Sequence, residues 1–255
     1  AQQVFTSKWS FLLALNIFLL MLFLLCLGRW QHHSQLLLSQ QAAARWAGES
    51  EERFAQASCF LPVNSTVSQE DILAFRKKLD AKYLEISQEA GENQKLYQDA
   101  WSATAELSVA GEYGNATVQA IGVGGNYFFF HPLRLRSGSY FSEGDFMQDR
   151  VVLDEELAWR LYGGVDLAGL TVTVNNKPYV IAGVISREAD RLSARTVNPL
   201  PTLYLPFTDL AAVAETGVTC YELVGPDPIT GFVSGALKDH FPLGDGELLE
   251  NSARF

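Results

Sequence analysis

Trp9 to Leu27 is a run of nineteen residues without a charge, dominated by Leu and Phe, with Ser10 and Asn16 as its clearly polar members. As an α-helix such a run is roughly 28 Å long, which matches the ~30 Å hydrocarbon core of a bilayer. A cleavable export signal has a shorter apolar core, about 7–15 residues, followed by a small-x-small cleavage site. Leu25-Cys26-Leu27-Gly28 offers no such site, and Leu25 before Cys26 is a poor lipoprotein signal. A buried core helix is the third reading, but nineteen consecutive residues with no charge and no polar stripe exceed what a soluble domain of this size usually carries. The run therefore predicts a retained membrane anchor.

Lys8 precedes the helix and Arg29 follows it, so basic residues do not choose a side. The chain beyond Arg29 holds all 29 Asp and Glu and 17 of the 19 Lys and Arg, a net charge of −12. So acidic a body is a poor nucleic-acid binder, because phosphate contact needs concentrated Lys and Arg. It carries no second apolar span. This arrangement predicts a single-pass protein of the cell membrane, with residues 1–8 as a cytoplasmic tail, the anchor at 9–27 and the main domain extracytoplasmic.

Apolar content of 48% and aromatic content of 12% exclude a disordered body. Of the three cysteines, Cys26 is in the anchor, while Cys59 and Cys220 form either a disulfide or two separate buried thiols. No CxxC, HxxxH or HExxH spacing points to zinc. His32-His33 read as an exposed juxtamembrane pair.

Residues 28–57 are helix-friendly and predict a stalk or an amphipathic helix packed on the body. Ser58–Val63 reads as a strand. Ser68 and Asp71 form a capping-box-like start for a helix with Ile72, Phe75, Leu79 and Tyr83 on one face. From Trp101 the apolar period becomes two, with Glu112-Tyr113-Gly114-Asn115 as a hairpin turn and Thr117–Val123 as the return strand. Val151-Val152-Leu153 is a buried strand, Asp154 an N-cap, and Gly163-Gly164 a helix stop. Leu170–Val174 and Tyr179–Ile185 flank an Asn175-Asn176 turn. An Arg-rich loop (Arg187, Arg191, Arg195) precedes strands at Thr202–Pro206 and Thr219–Val224. A last amphipathic helix carries Phe232, Val233, Leu237 and Phe241, and Leu248–Asn251 follows with no closing element expected. The abrupt end and the absence of an initiator Met predict a fragment or one component of a set.

Asp154-Glu155-Glu156 is the most acidic candidate for proton chemistry. Its place after a strand and at a helix start favours capping and dipole compensation instead. Gly122-Val123-Gly124-Gly125 follows a strand as a phosphate loop would, but lacks the last glycine of GxGxxG and is followed by Tyr127-Phe128-Phe129-Phe130, so a turn is expected. No Walker A sequence and no GxSxG elbow occur. Asn64-Ser65-Thr66 and Asn115-Ala116-Thr117 match glycosylation sequons, a signal that arises often by chance. No catalytic, cofactor-binding or metal-ligating residue is singled out. The expectation is no enzyme and no cofactor, and an anchored hydrolase has no sequence support.

Residues 120–184 resemble the extracytoplasmic domain of MacB-type ABC-transporter permeases. The likeness rests on Ala120-Ile121-Gly122-Val123, Asn126-Tyr127-Phe128, Leu133 to Phe141 with Asp145, Val151 to Gly164 (VVLDEELAWRLYGG), Asp166-Leu167-Ala168-Gly169 and Val180 to Val184. Ser139 stands where the family usually has Arg, and Ala168-Gly169 where Val-Gly or Ile-Gly is usual. The resemblance implies an α+β architecture: an N-terminal transmembrane and stalk helix, then a porter-like α/β subdomain with an inserted β-rich subdomain. Its boundaries would be 58–110 and 197–255 for the two porter-like segments and 111–196 for the insert. Such permeases carry three further membrane helices, which this sequence lacks. The resemblance implies a truncated or accessory permease subunit. It would bind partner or substrate and pass conformational change across the bilayer that it enters through 9–27. Its partners would be an ABC ATPase and other permease subunits, in a homo- or heterodimer. The alternative is a stand-alone anchored ligand-binding or sensor module of the cell envelope.

Overall fold

A computed structural model of the chain describes residues 2–34, 38–48, 50, 52–88, 95–187 and 199–251. Helix α1 (Gln2–Ser34) holds the apolar run. Its stretch Phe11–Trp30 has a mean hydropathy of 2.7, buries nothing against the body, and is long and apolar enough to cross a membrane. Asn16 does not interrupt it, because its side-chain amide donates to the Leu12 carbonyl at 2.9 Å. A satisfied amide inside such a helix lowers the cost of placing it in hydrocarbon.

The body begins with a single 3-10 turn (Leu38–Gln41) and α2 (Ala42–Ala47). The chain then alternates: β1 (Phe54–Phe60), α3 (Gln69–Glu85), β2 (Gln98–Gly111), β3 (Gly114–Gly125), α4 (Tyr127–Phe130), β4 (Leu135–Gly138) and β5 (Arg150–Asp154). It continues with α5 (Glu155–Tyr162), β6 (Thr171–Val174), β7 (Lys177–Ile185), β8 (Thr202–Pro206), α6 (Phe207–Ala214), β9 (Cys220–Pro226), α7 (Phe232–His240) and β10 (Glu247–Glu250). The strands form one continuous mixed sheet in the order β10-β1-β9-β2-β3-β8-β5-β7-β4, with β6 bridging β2 and β7. The β3–β8 and β5–β7 pairs are parallel; the others are antiparallel. This is a mixed α+β fold with one apolar N-terminal helix.

Local signals explain most elements. Ser68 accepts from the Asp71 backbone while Asp71 reaches back to the Ser68 backbone, a complete capping box at the start of α3. Asp154 accepts from the Leu157 N–H at 2.7 Å and starts α5, and Gly163 in the left-handed region ends it. Asn175 and Asn176 both take positive φ, the geometry of a two-residue hairpin turn between β6 and β7.

Four sequence expectations differ from the structure. The first strand runs Phe54–Phe60 and not Ser58–Val63, so the helical stretch expected through residue 57 stops at Ala47 and β1 begins inside it. Gly122–Gly125 is not a turn but the end of β3. Its glycines are flat where neighbours press: a Cβ at Gly124 would lie 2.2 Å from the Trp101 ring, and one at Gly122 2.7 Å from Leu210. Leu248–Glu250 does close the fold, as part of edge strand β10 against β1. Helix α6 was not anticipated, although Phe207, Leu210, Ala211 and Ala214 follow helical spacing. Arg191 and Arg195 lie outside the described residues.

The two faces of the sheet around β1 and β9 are covered differently. Ala55, Ala57, Cys59, Tyr221 and Leu223 point to one face and pack under Ile72, Phe75 and Leu79 of α3 and Val233 and Leu237 of α7. Phe75 sets its ring edge-on to Tyr221 and Phe241, with centroids 5.7 and 5.3 Å away. Strand alternation sends Gln56, Ser58, Cys220, Glu222 and Val224 to the opposite face. There Ala100 and Val224 meet Ala42 of α2 and Phe130 of α4. Cys59 and Cys220 are free thiols, aligned with Tyr221 and Phe60 respectively and hence on opposite faces. Burial pushes the Cys59 thiol up to about 12 and the Cys220 thiol well above its ordinary value.

Candidate functional site

The second face of the sheet is where the segment following α1 meets the body. Gln56, fully buried on β1, is the pivot. Its side-chain oxygen accepts from the Ala42 N–H at 2.9 Å, and its amide group donates to the Ser39 carbonyl at 2.7 Å. The first is one of the orphan donors that every helix start must satisfy, here that of α2. One side chain therefore fixes both the 3-10 turn and α2 to the central sheet. The Asn251 N–H caps the Gln56 backbone carbonyl at 2.8 Å.

Arg45 of α2 makes the second tie. Its guanidinium donates to the Leu38 carbonyl, and to the Phe129 carbonyl at 2.6 Å, and lies 5.2 Å from the centroid of the Phe129 ring. Partial burial lowers its pKa, yet a guanidinium remains charged. Trp46 donates to the Leu96 carbonyl at 3.3 Å and meets Phe129 edge-on at 5.7 Å. Segment 38–47 is thus held to β1, to the approach to β2, and to α4, the link from β3 toward β4.

Beyond α4 the polar ladder continues. His131 Nε2 lies 2.6 Å from Glu222 Oε2, and its ring stacks on Tyr127 at 4.4 Å. Ser58 donates to the other Glu222 oxygen at 3.4 Å, and Asn251 donates to Ser58 at 3.4 Å. Glu222 is buried, so these partners are what keep its carboxylate from an uncompensated desolvation cost.

A second polar cluster sits on the α3 face. Arg76 grips Asp99 with two hydrogen bonds of 2.7 and 2.8 Å and reaches Glu143 at 3.2 Å. Its guanidinium also lies 4.9 Å from the Trp101 ring centroid. Tyr221 donates to Asp99 at 3.0 Å, and burial with the Asp99 charge pushes its phenol well above the ordinary value. A fork-to-fork Arg–carboxylate pair of this kind fixes geometry. It joins α3, β2, β9 and the segment before β5.

The acidic triplet serves structure. Burial raises the Asp154 carboxyl above its ordinary value, while the Leu157 and Thr202 N–H groups, each 2.7 Å from one of its oxygens, oppose that rise. Glu155 pairs with Arg136 at 3.1 Å, and Glu156 with Arg160 at 2.7 Å and with Arg187. Three acids tied to three different sets of partners do not make a proton-sharing dyad. Among the described residues no group of three or more His, Cys, Asp or Glu could hold a metal ion. The side chains of His32 and His33 lie outside the described residues.

Sequence reading passed over Gln56, Arg45 and the Arg76–Asp99 pair. One signal was available for Gln56: a long polar amide inside the run Phe54-Ala55-Gln56-Ala57-Ser58-Cys59-Phe60, which is apolar apart from it and Ser58.

A family model described as the MacB-like periplasmic core domain matches residues 47–233. Curated relatives include the macrolide export ATP-binding/permease protein MacB of Neisseria gonorrhoeae (strain ATCC 700825 / FA 1090) and that of Neisseria meningitidis serogroup B. Each is 32% identical over 94 residues, which is 36% of this chain and 14% of the relative. The chain thus spans a small part of the relatives that it matches. Among solved structures, the extracellular domain of the noncanonic ABC-type transporter YknZ from Gram-positive bacteria is similar, with a TM-score of 0.48 and 18% identity over 74% of this chain and 92% of that one. The periplasmic region of MacB from Actinobacillus actinomycetemcomitans gives a TM-score of 0.49 and 17% identity over 77% of this chain and 88% of that one.

Proposed function

This chain belongs to the MacB-like periplasmic core domain family, and on that premise we propose that it is the extracytoplasmic part of a MacB-like ABC-transporter permease. It passes conformational change between the membrane helix and the sheet and binds a partner or substrate outside the cytoplasm. The helix α1 enters the bilayer with its N-terminus cytoplasmic. The chain works with an ABC ATPase and further permease subunits, and does no catalysis of its own.

The observation that carries this reading is the joint. Gln56 and Arg45 fasten the segment that follows the anchor to β1, the strand next to edge strand β10, and to α4. A passive tether needs no such fastening, whereas a transmitting element needs a connection that does not slip. The joint is built from directional hydrogen bonds, one buried and two half-buried, which resist small rotations better than apolar contact does.

Purification of the full chain from its own membranes in mild detergent tests the reading. The expected result is a co-purifying ABC ATPase. Nucleotide turnover then changes the labelling rate of Cys220 on the joint face, and Gln56→Leu abolishes that change while the ATPase still co-purifies. A chain that stays monomeric, with no ATPase or second permease captured by crosslinking, overturns it.

A further inference from the structure

Far along the sheet from the joint, three elements build an exposed aromatic platform. Tyr113, at the β2–β3 turn, is 67% exposed; Trp159, on α5, is 56% exposed; Leu170, just before β6, is 46% exposed. They are held together by backbone and ring contacts. The Tyr113 N–H donates to the Leu161 carbonyl at 2.9 Å. The Gly163 N–H donates to the Trp159 carbonyl, also at 2.9 Å. The Tyr113 ring lies so close over Gly163 that a Cβ there would sit 3.1 Å from it. The half-buried Tyr162 lies against Gly111 in the same manner and donates to the Thr171 carbonyl at 2.6 Å. Glycine at 163 leaves room for the Tyr113 ring, and glycine at 111 leaves room for Leu161 and the Tyr162 ring. Tyr162, half-buried and tied through its hydroxyl to Thr171, is the pre-organised part of the platform.

Its electrostatics are one-sided. Glu112 is exposed beside Tyr113, makes no ion pair among the described residues, and acts on the Tyr162 phenol. The neighbouring Arg160 is committed to Glu156. Among the described residues no cation lies over the Tyr113 or Trp159 ring, although cations do lie over Phe129, Trp101 and Tyr179. Open Trp and Tyr faces beside a free carboxylate attract guanidinium and ammonium groups, and Trp and Tyr are the residue types on which binding energy concentrates.

We infer that Tyr113, Trp159 and Tyr162 form a docking surface for a partner protein that presents Arg or Lys side chains. A second copy of this chain is a poor occupant, since each copy carries a formal charge of −10. An anionic lipid surface repels Glu112 for the same reason. This assignment is independent of the joint and stands whether or not the joint transmits motion.

The test places the photo-crosslinking residue p-benzoylphenylalanine at position 113 of the full chain in its own cell membranes, with position 63, exposed on the β1–α3 connection, as the control site. The expected result is an adduct from position 113, absent from position 63, with a different protein whose crosslinked peptide carries Arg or Lys. Trp159→Ser lowers its yield at least tenfold and Glu112→Lys several-fold. Both substitutions are on the surface, so an unchanged melting temperature confirms an intact fold. Adducts to a second copy or to lipid alone, no adduct, or an adduct indifferent to both substitutions overturns the inference.

Discussion

The two faces of the sheet around β1 and β9 are built from the same strands and do different work. Under α3 and α7 the face is apolar, with Phe75, Tyr221 and Phe241 in mutual ring contact and Leu79 and Leu237 buried. Toward the anchor it carries Gln56, Ser58 and Glu222, each buried and each hydrogen-bonded. Apolar burial is strong and non-directional, and it sets stability. Buried hydrogen bonds contribute less net stability but fix a single geometry. One face therefore holds the fold, while the other fixes where the anchor's continuation sits.

The largest effect should come from the apolar face. Phe75→Ala is expected to cost about 3–5 kcal/mol in denaturant unfolding, because it leaves a cavity beside the stacked Tyr221 and Phe241 rings. It should speed labelling of Cys59, whose buried thiol is pushed up to about 12 and so is almost wholly protonated at pH 8. A smaller effect should come from the joint. Gln56→Leu leaves the Ala42 N–H and the Ser39 carbonyl without their partner and is expected to cost about 1–3 kcal/mol. It should speed labelling of Cys220, on the joint face, far more than that of Cys59. With Cys26 replaced by serine, the two thiols report separately on the two faces; equal acceleration of both by either substitution would break the comparison. The smallest effect belongs to the exposed end of the Arg76 cluster. Glu143→Gln should change stability by about 0–1 kcal/mol, as for other solvent-accessible ion pairs. Asp99→Asn, which unpairs a half-buried guanidinium from its fork, should cost several times more. Comparable losses from the two would mean that the segment before β5 depends on this link more than its exposure implies.

The sequence made legible what is decided within a few residues. Asp154 with Gly163 marks α5, Ser68 with Asp71 marks α3, and Asn175-Asn176 marks a hairpin turn, because caps and turns act locally. The glycines at 122 and 124 misled for the opposite reason. Read locally they suggest a turn, but their cause is Trp101 and Leu210 pressing from other elements. β10 escaped notice because a four-residue edge strand is defined by its partner β1, nearly two hundred residues earlier. Helix α6 was legible in its spacing and was hidden by the proline before it. The joint was the least legible part. Gln56 is one of two polar letters in β1, and its meaning depends on Ser39 and Ala42 folding back over it. Arg45 acquires its role only when β3 and α4 deliver the Phe129 carbonyl. The MacB-like pattern, by contrast, was readable because its elements recur in order along the chain, from Ala120 to Val184.

Amide hydrogen exchange of the full chain in a membrane mimetic tests the joint most directly. In Gln56→Leu, segment 38–47 is predicted to exchange about tenfold to a hundredfold faster, as loss of about 1–3 kcal/mol of local stability requires, while the β2–β3 hairpin keeps its protection. Unchanged exchange at 38–47, or an equal loss of protection across the whole sheet, would contradict a fixed connection between segment 38–47 and the sheet.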